Sequence, residues 1–117
     1  MSSDNMRQRI PSCPHGAPDR MDIFLLLSLE KLESDMQIKF DFLSGYRCKE
    51  CNEIVGGVKN SAHLRGKAVD ISVRTSGFRY RIIEHALRLG FQRIGIGRTI
   101  IHLDIDTSLP AHVTWLY

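Results

Sequence analysis

Residues 61–72 read SAHLRGKAVDIS, and the fold turns on how this stretch divides. Val69, Ile71 and Val73 alternate with Asp70 and Ser72, which predicts a half-buried strand carrying Asp70 on its polar face. His63, seven positions before Asp70, falls in the loop entering that strand, where Gly66 and Ala68 leave room for the chain to fold back. A second alternation, TIIHLDID (residues 99–106), puts Ile101, Leu103 and Ile105 on one face and His102, Asp104 and Asp106 on the other. If the two strands are neighbours, Asp70 and His102 converge.

Helices and further strands flank this pair. Met21, Leu25, Leu29, Leu32 and Met36 recur at steps of three and four, with Asp22 in the first turn, which predicts a helix on the core. IKFDFLS (38–44) alternates as a strand, and GYRCKECNEIVGG (45–57) contains a short helix after Arg47 that stops at Gly56. GFRYRIIEHALRLGF (77–91) predicts a second long helix ending at Gly90, and HVTWLY (112–117) a closing strand. Residues 1–20, with three of the four prolines, read as an irregular N-terminal arm, and residues 21–117 as one domain. The expected class is α+β, with helices on the apolar face of a mainly antiparallel sheet of about four strands and polar side chains on the other face.

Composition sets the bounds. At 117 residues, 43% apolar and 25% charged, the chain is one ordinary globular domain. No apolar run approaches the ~20 residues of a membrane span. The net charge of +3 comes from 16 basic and 13 acidic residues with no basic stripe, so nucleic acid is not an expected partner. The N-terminus lacks the apolar core of a secretory signal, so synthesis in the cytoplasm is expected.

Three cysteines, Cys13, Cys48 and Cys51, fit reduced cytosolic thiols. CKEC (48–51) lacks the βαβ setting of a thioredoxin-like redox site. Cys13, His15, Cys48 and Cys51 are ligand types that suit tetrahedral zinc, although their spacing is loose.

His63, Asp70 and His102 form the sharper constellation. Two histidines and one carboxylate are the set catalytic zinc uses when a fourth position stays open for water. Periodicity alone also allows a plain loop histidine, a strand-edge carboxylate and a satisfied sheet histidine.

The run SGYRCKECNEIVGGVKNSAHLRGKAVDI (44–71) resembles the zinc D-alanyl-D-alanine carboxypeptidase family, whose members share a fold with the zinc-containing N-terminal domain of hedgehog proteins. SGYR, the following N and VGG, the S.H..G.A.D core and the later HLD carry the likeness over roughly residues 41–106. GFQRIGIGRTIIHLDID and WLY are similar to small bacterial and phage peptidases of this group. The resemblance implies a hedgehog/DD-peptidase-like fold and a Zn(2+) cofactor held by His63, Asp70 and His102. It also implies that Arg47 holds a substrate's terminal carboxylate, with Tyr46 beside it, and that Ser61 contacts substrate or steadies the loop.

The activity so implied is hydrolysis of peptidoglycan stem peptides next to a D-amino acid, as carboxypeptidase or endopeptidase. A monomer acting on the cell wall, released as phage lysis enzymes are, fits this expectation, and a non-catalytic zinc-stabilised binding module is the alternative. Several family members carry a glutamate or aspartate base three residues before the last zinc histidine, where this chain has Thr99. Threonine cannot serve as that base. Asp104, on the same strand face as His102 and about 7 Å along, is expected to replace it, or else to stand behind His102 as an orienting carboxylate.

Overall fold

The computed structural model describes residues 3–13 and 20–117. Among the described residues there are four helices, α1 (Ser3–Arg9), α2 (Ile23–Met36), α3 (Lys49–Ile54) and α4 (Ser76–Leu89), with a 3-10 turn at Ala62–Arg65. Five strands, β1 (Phe42–Ser44), β2 (Ala68–Ser72), β3 (Arg93–Ile96), β4 (Ile100–Asp104) and β5 (Val113–Leu116), form one sheet in the order β1-β2-β4-β3-β5.

Local chemistry sets the helix ends. The Asp22 carboxylate accepts the N–H groups of Phe24 and Leu25, which places it at the N-cap of α2. Thr75 does the same for α4 through the N–H of Phe78, and Gly90, at φ 103°, closes α4 in the left-handed conformation. Leu25, Leu26, Leu29 and Leu32 of α2 are fully buried with Ile82 and Ala86 of α4 against Val69, Ile71, Ile101 and Leu103 of the sheet. Each buried leucine contributes roughly 2 kcal/mol. Residues alternating with the sheet set, Asp70, His102 and Asp104, point to the opposite face.

Three expectations need correction. The sheet is mixed and has five strands: β1–β2, β2–β4 and β3–β4 are antiparallel, but β5 runs parallel to β3. Both edges of β4 are occupied, so the chain leaving it crosses β3 and pairs on the far side. The predicted strand at 38–44 shrinks to Phe42–Ser44. Phe40 is buried as the alternation requires, yet its N–H goes to Glu33 Oε2 (2.6 Å) and its carbonyl accepts from Arg9 Nη2 (2.9 Å). A side-chain ion pair thus takes the place of a neighbouring strand.

The third correction concerns residues 1–20, which are not simply an irregular arm. Residues 3–9 are helical, and Met6 and Ile10, four apart, are buried in the core. Arg9 forks onto the buried Glu33 of α2, at 2.8 and 2.7 Å. The prolines that follow obscured this short amphipathic turn. Among the described residues, no helix is long and apolar enough to cross a membrane.

Candidate metal centre

β2 and β4 pair with Asp70 opposite His102, so the two side chains rise together from the polar face. His63 reaches them from the 3-10 turn. Ser61 caps that turn by accepting the His63 N–H at 3.1 Å, and Gly66 ends it at φ 68°. A side chain at Gly66 would run into the Arg20 carbonyl, so the glycine of the S.H..G.A.D pattern is there for close approach as well as for its φ.

One donor atom from each of His63, Asp70 and His102 lies within 4.8 Å of the others, and all three residues are buried. The sheet register breaks between Phe42 and Ser44, and Ser44 Oγ donates to Asp70 Oδ2 at 2.8 Å. Asp70 Oδ1 lies 3.1 Å from His102 Nδ1, and Oδ2 lies 3.3 Å from His63 Nε2. Burial opposes ionisation of Asp70, but the contact with His102 and the nearness of both imidazoles outweigh it and hold the carboxyl well below its usual range. His102 is raised for the reciprocal reason: burial lowers it, and Asp104 and Asp70 together overcome that.

The donor set fits a cation. His63 Nδ1 donates to the Gly45 carbonyl at 2.7 Å, which leaves Nε2 of the neutral ring with a bare lone pair. That nitrogen is buried without a hydrogen-bond partner among the described residues, and it faces a carboxylate oxygen. Two acceptors turned toward each other in a buried site are reconciled by a proton or a metal ion.

Asp104 stands behind this group. Its Oδ2 receives His102 Nε2 at 2.7 Å, while Oδ1 accepts from Arg93 Nε at 2.8 Å and from the Asp106 N–H at 3.1 Å. Both oxygens are spent, and the residue is 1% exposed. Of the two roles considered for it, this placement is the one an orienting carboxylate would take. Thr99 is exposed in the β3–β4 turn.

Asp70 and His102 lie on the floor of a cleft of about 560 Å³, walled by Arg47, Asn60, Ser61, Trp115 and Tyr117, with His63 buried beside them. Arg47 hangs from the 3-10 turn by its N–H to the His63 carbonyl, and its Nε is buried with no hydrogen-bond partner among the described residues. Tyr46 does not join it. Neighbours in extended chain point to opposite sides, and Tyr46 packs on the core with Arg20 over its ring, 5.8 Å from the centroid.

The pattern reading missed Ser44, Arg93, Trp115 and Tyr117. Arg93 ties Asp104 to the Pro110 carbonyl and stacks on Trp115 at 5.0 Å. Gly95 lies opposite His102, and a side chain there would meet the Trp115 indole at 2.7 Å and the Tyr117 ring at 2.9 Å. Both aromatic rings can therefore lie against His102, at 5.1 and 6.2 Å. SGYR and WLY mark three of these positions in the sequence, and GFQRIGIG spans Arg93 without singling it out.

A second group of ligand type lies elsewhere. Cys13, Cys48 and Cys51 offer sulfurs within 4.8 Å of one another, and no disulfide joins them. Desolvation in the cluster and hydrogen bonds with Cys13 and Cys48 push the Cys51 thiol up to about 12. His15, grouped with them by residue type, lies outside the described residues.

Two imidazoles and a carboxylate, with lone pairs converging on a cleft floor and a carboxylate steadying one ring from behind, define a candidate mononuclear metal centre of the hydrolytic kind. The chain belongs to the peptidase M15 family, whose model matches residues 3–106. Peptidases of this family are zinc-dependent, and membership makes this protein a metallopeptidase. No curated protein matches the chain.

Proposed function

We propose that the protein hydrolyses peptidoglycan stem peptides next to a D-amino acid, with zinc held by His63, Asp70 and His102. The observation that carries the reading is the buried, unpartnered Nε2 of His63 facing Asp70 beside His102. Zinc bound there would polarise the carbonyl under attack and acidify a water molecule.

The chain's own residues supply the rest. Asp104 keeps the His102 proton on Nε2, so that Nδ1 presents its lone pair. Arg47 anchors a terminal carboxylate through a planar fork, and its unpartnered Nε in the cleft favours carboxypeptidase over endopeptidase action. Burial and the nearby Asp70 charge push the Tyr117 hydroxyl up, so it stays protonated and can donate to negative charge developing in the cleft. Ser61 holds the ligand turn, and its hydroxyl serves the chain before any substrate.

The test uses purified protein loaded with one equivalent of zinc and a peptidoglycan pentapeptide ending in D-Ala-D-Ala, read by mass spectrometry. Expected is release of D-alanine, lost in His102→Ala, with KM raised in Arg47→Met more than kcat is lowered. Internal fragments without D-alanine would make it an endopeptidase. No product over long incubation would favour the non-catalytic module, to which Thr99 at the usual base position lends support.

A further inference from the structure

Cys13, Cys48 and Cys51 come from two distant parts of the chain. Cys48 is the N-cap of α3, and its sulfur accepts the Cys51 N–H at 3.4 Å. Cys13, 35 positions before Cys48, accepts the Cys48 N–H at 3.4 Å. Backbone N–H groups therefore point at two of the three sulfurs, an arrangement that stabilises charge on sulfur. All three residues are half-buried, screened from bulk water yet open to an entering ion.

Tetrahedral zinc with Zn–S bonds of about 2.3 Å places its sulfurs about 3.8 Å apart. The sulfurs here already lie within 4.8 Å of one another, so closure asks for about 1 Å of movement or less. The C-x-x-C spacing at 48–51 suits two ligands from one turn, and the third comes from the segment after α1.

We propose that Cys13, Cys48 and Cys51 form a second, structural zinc site, distinct from the histidine centre, that fastens the segment after α1 to the start of α3. Thiolate donors select a soft or borderline ion such as zinc over calcium or magnesium. Binding releases the thiol protons, and the fourth position is open to water or another donor. Arg47 precedes Cys48 and borders both the cysteine pocket and the cleft, so the ion also steadies the residue assigned to the substrate carboxylate. Only that last link rests on the proposed function.

The test counts metal in the whole chain. Wild type purified under reducing conditions with zinc, then freed of loosely bound ions, is expected to hold two equivalents by elemental analysis. The Cys13→Ser/Cys48→Ser/Cys51→Ser variant and the His63→Ala/His102→Ala variant should each hold one. A serine variant with the wild-type count overturns the proposal, while loss of metal from the histidine variant alone bears on the other centre. If the serine variant does not fold, cobalt(II) added to the His63→Ala/His102→Ala variant decides the matter. A thiolate-to-cobalt charge-transfer band in the near ultraviolet supports the site. Absence of the band in reduced protein overturns it.

Discussion

Replacing Asp104 by asparagine separates its two conceivable roles. Arg93 Nε and the Asp106 N–H both donate to Oδ1, so an asparagine must keep its oxygen there. Its amide nitrogen then faces His102 Nε2, 2.7 Å away in the wild type. Donor against donor is untenable at that distance, so the ring moves its proton to Nδ1, the atom that faces Asp70 and is needed bare for a metal. Carboxylates behind a ligand histidine are worth about 10–100-fold in metal affinity, or ~1.4–2.7 kcal/mol.

Competition with a chromophoric chelator at neutral pH should therefore show Asp104→Asn binding zinc about 10–100-fold more weakly. Excess zinc should restore much of the turnover, because the defect lies in occupancy. A general base behaves differently: its loss leaves zinc affinity alone and is not rescued by metal. Wild-type zinc affinity with turnover that stays low at saturating zinc would refute the orienting role.

Two further outcomes follow from the geometry. Arg9→Met strands the Glu33 carboxylate, 5% exposed, without its cation and should cost about 3 kcal/mol in urea unfolding. A loss below about 1 kcal/mol would mean that solvent reaches Glu33 easily. The raised His102 also sets opposite pH trends. In the metal-free protein its bound proton stabilises the fold fully below about pH 6.5, and that contribution fades as pH rises through the raised value. Zinc must displace this proton, so its affinity should weaken about tenfold per unit below that value and level off above it. Thermal scans from about pH 6 to about pH 9 should show the zinc-induced rise in Tm growing with pH, and a constant rise would contradict the coupling.

The candidate ligand set was legible because side-chain alternation is a local property. Asp70 and His102 each sit opposite their apolar neighbours within a strand, and the S.H..G.A.D and HLD patterns fix His63 beside them. Partners that depend on pairing between strands were not legible. Arg93 reaches Asp104 only because β3 pairs with β4, and β3 itself, with glycine at position 95, shows no alternation worth reading. The role of Asp104 was readable only as a choice between two, since spacing places it on the face of His102 without saying which way each oxygen turns. Tyr46 shows the converse error: adjacency to Arg47 in sequence is the reason it faces the other way.

The ion pair beside Phe40 bears on how this protein avoids its own copies. β1 is the outermost strand on its side of the sheet, so the chain just before it would ordinarily offer bare N–H and C=O groups to any passing strand. At Phe40 those groups are already held by Glu33 and Arg9. The helix that begins the described chain thus acts as a stopper against edge-to-edge aggregation, and a version trimmed to start at Met21 would lose solubility for reasons unrelated to its catalytic chemistry.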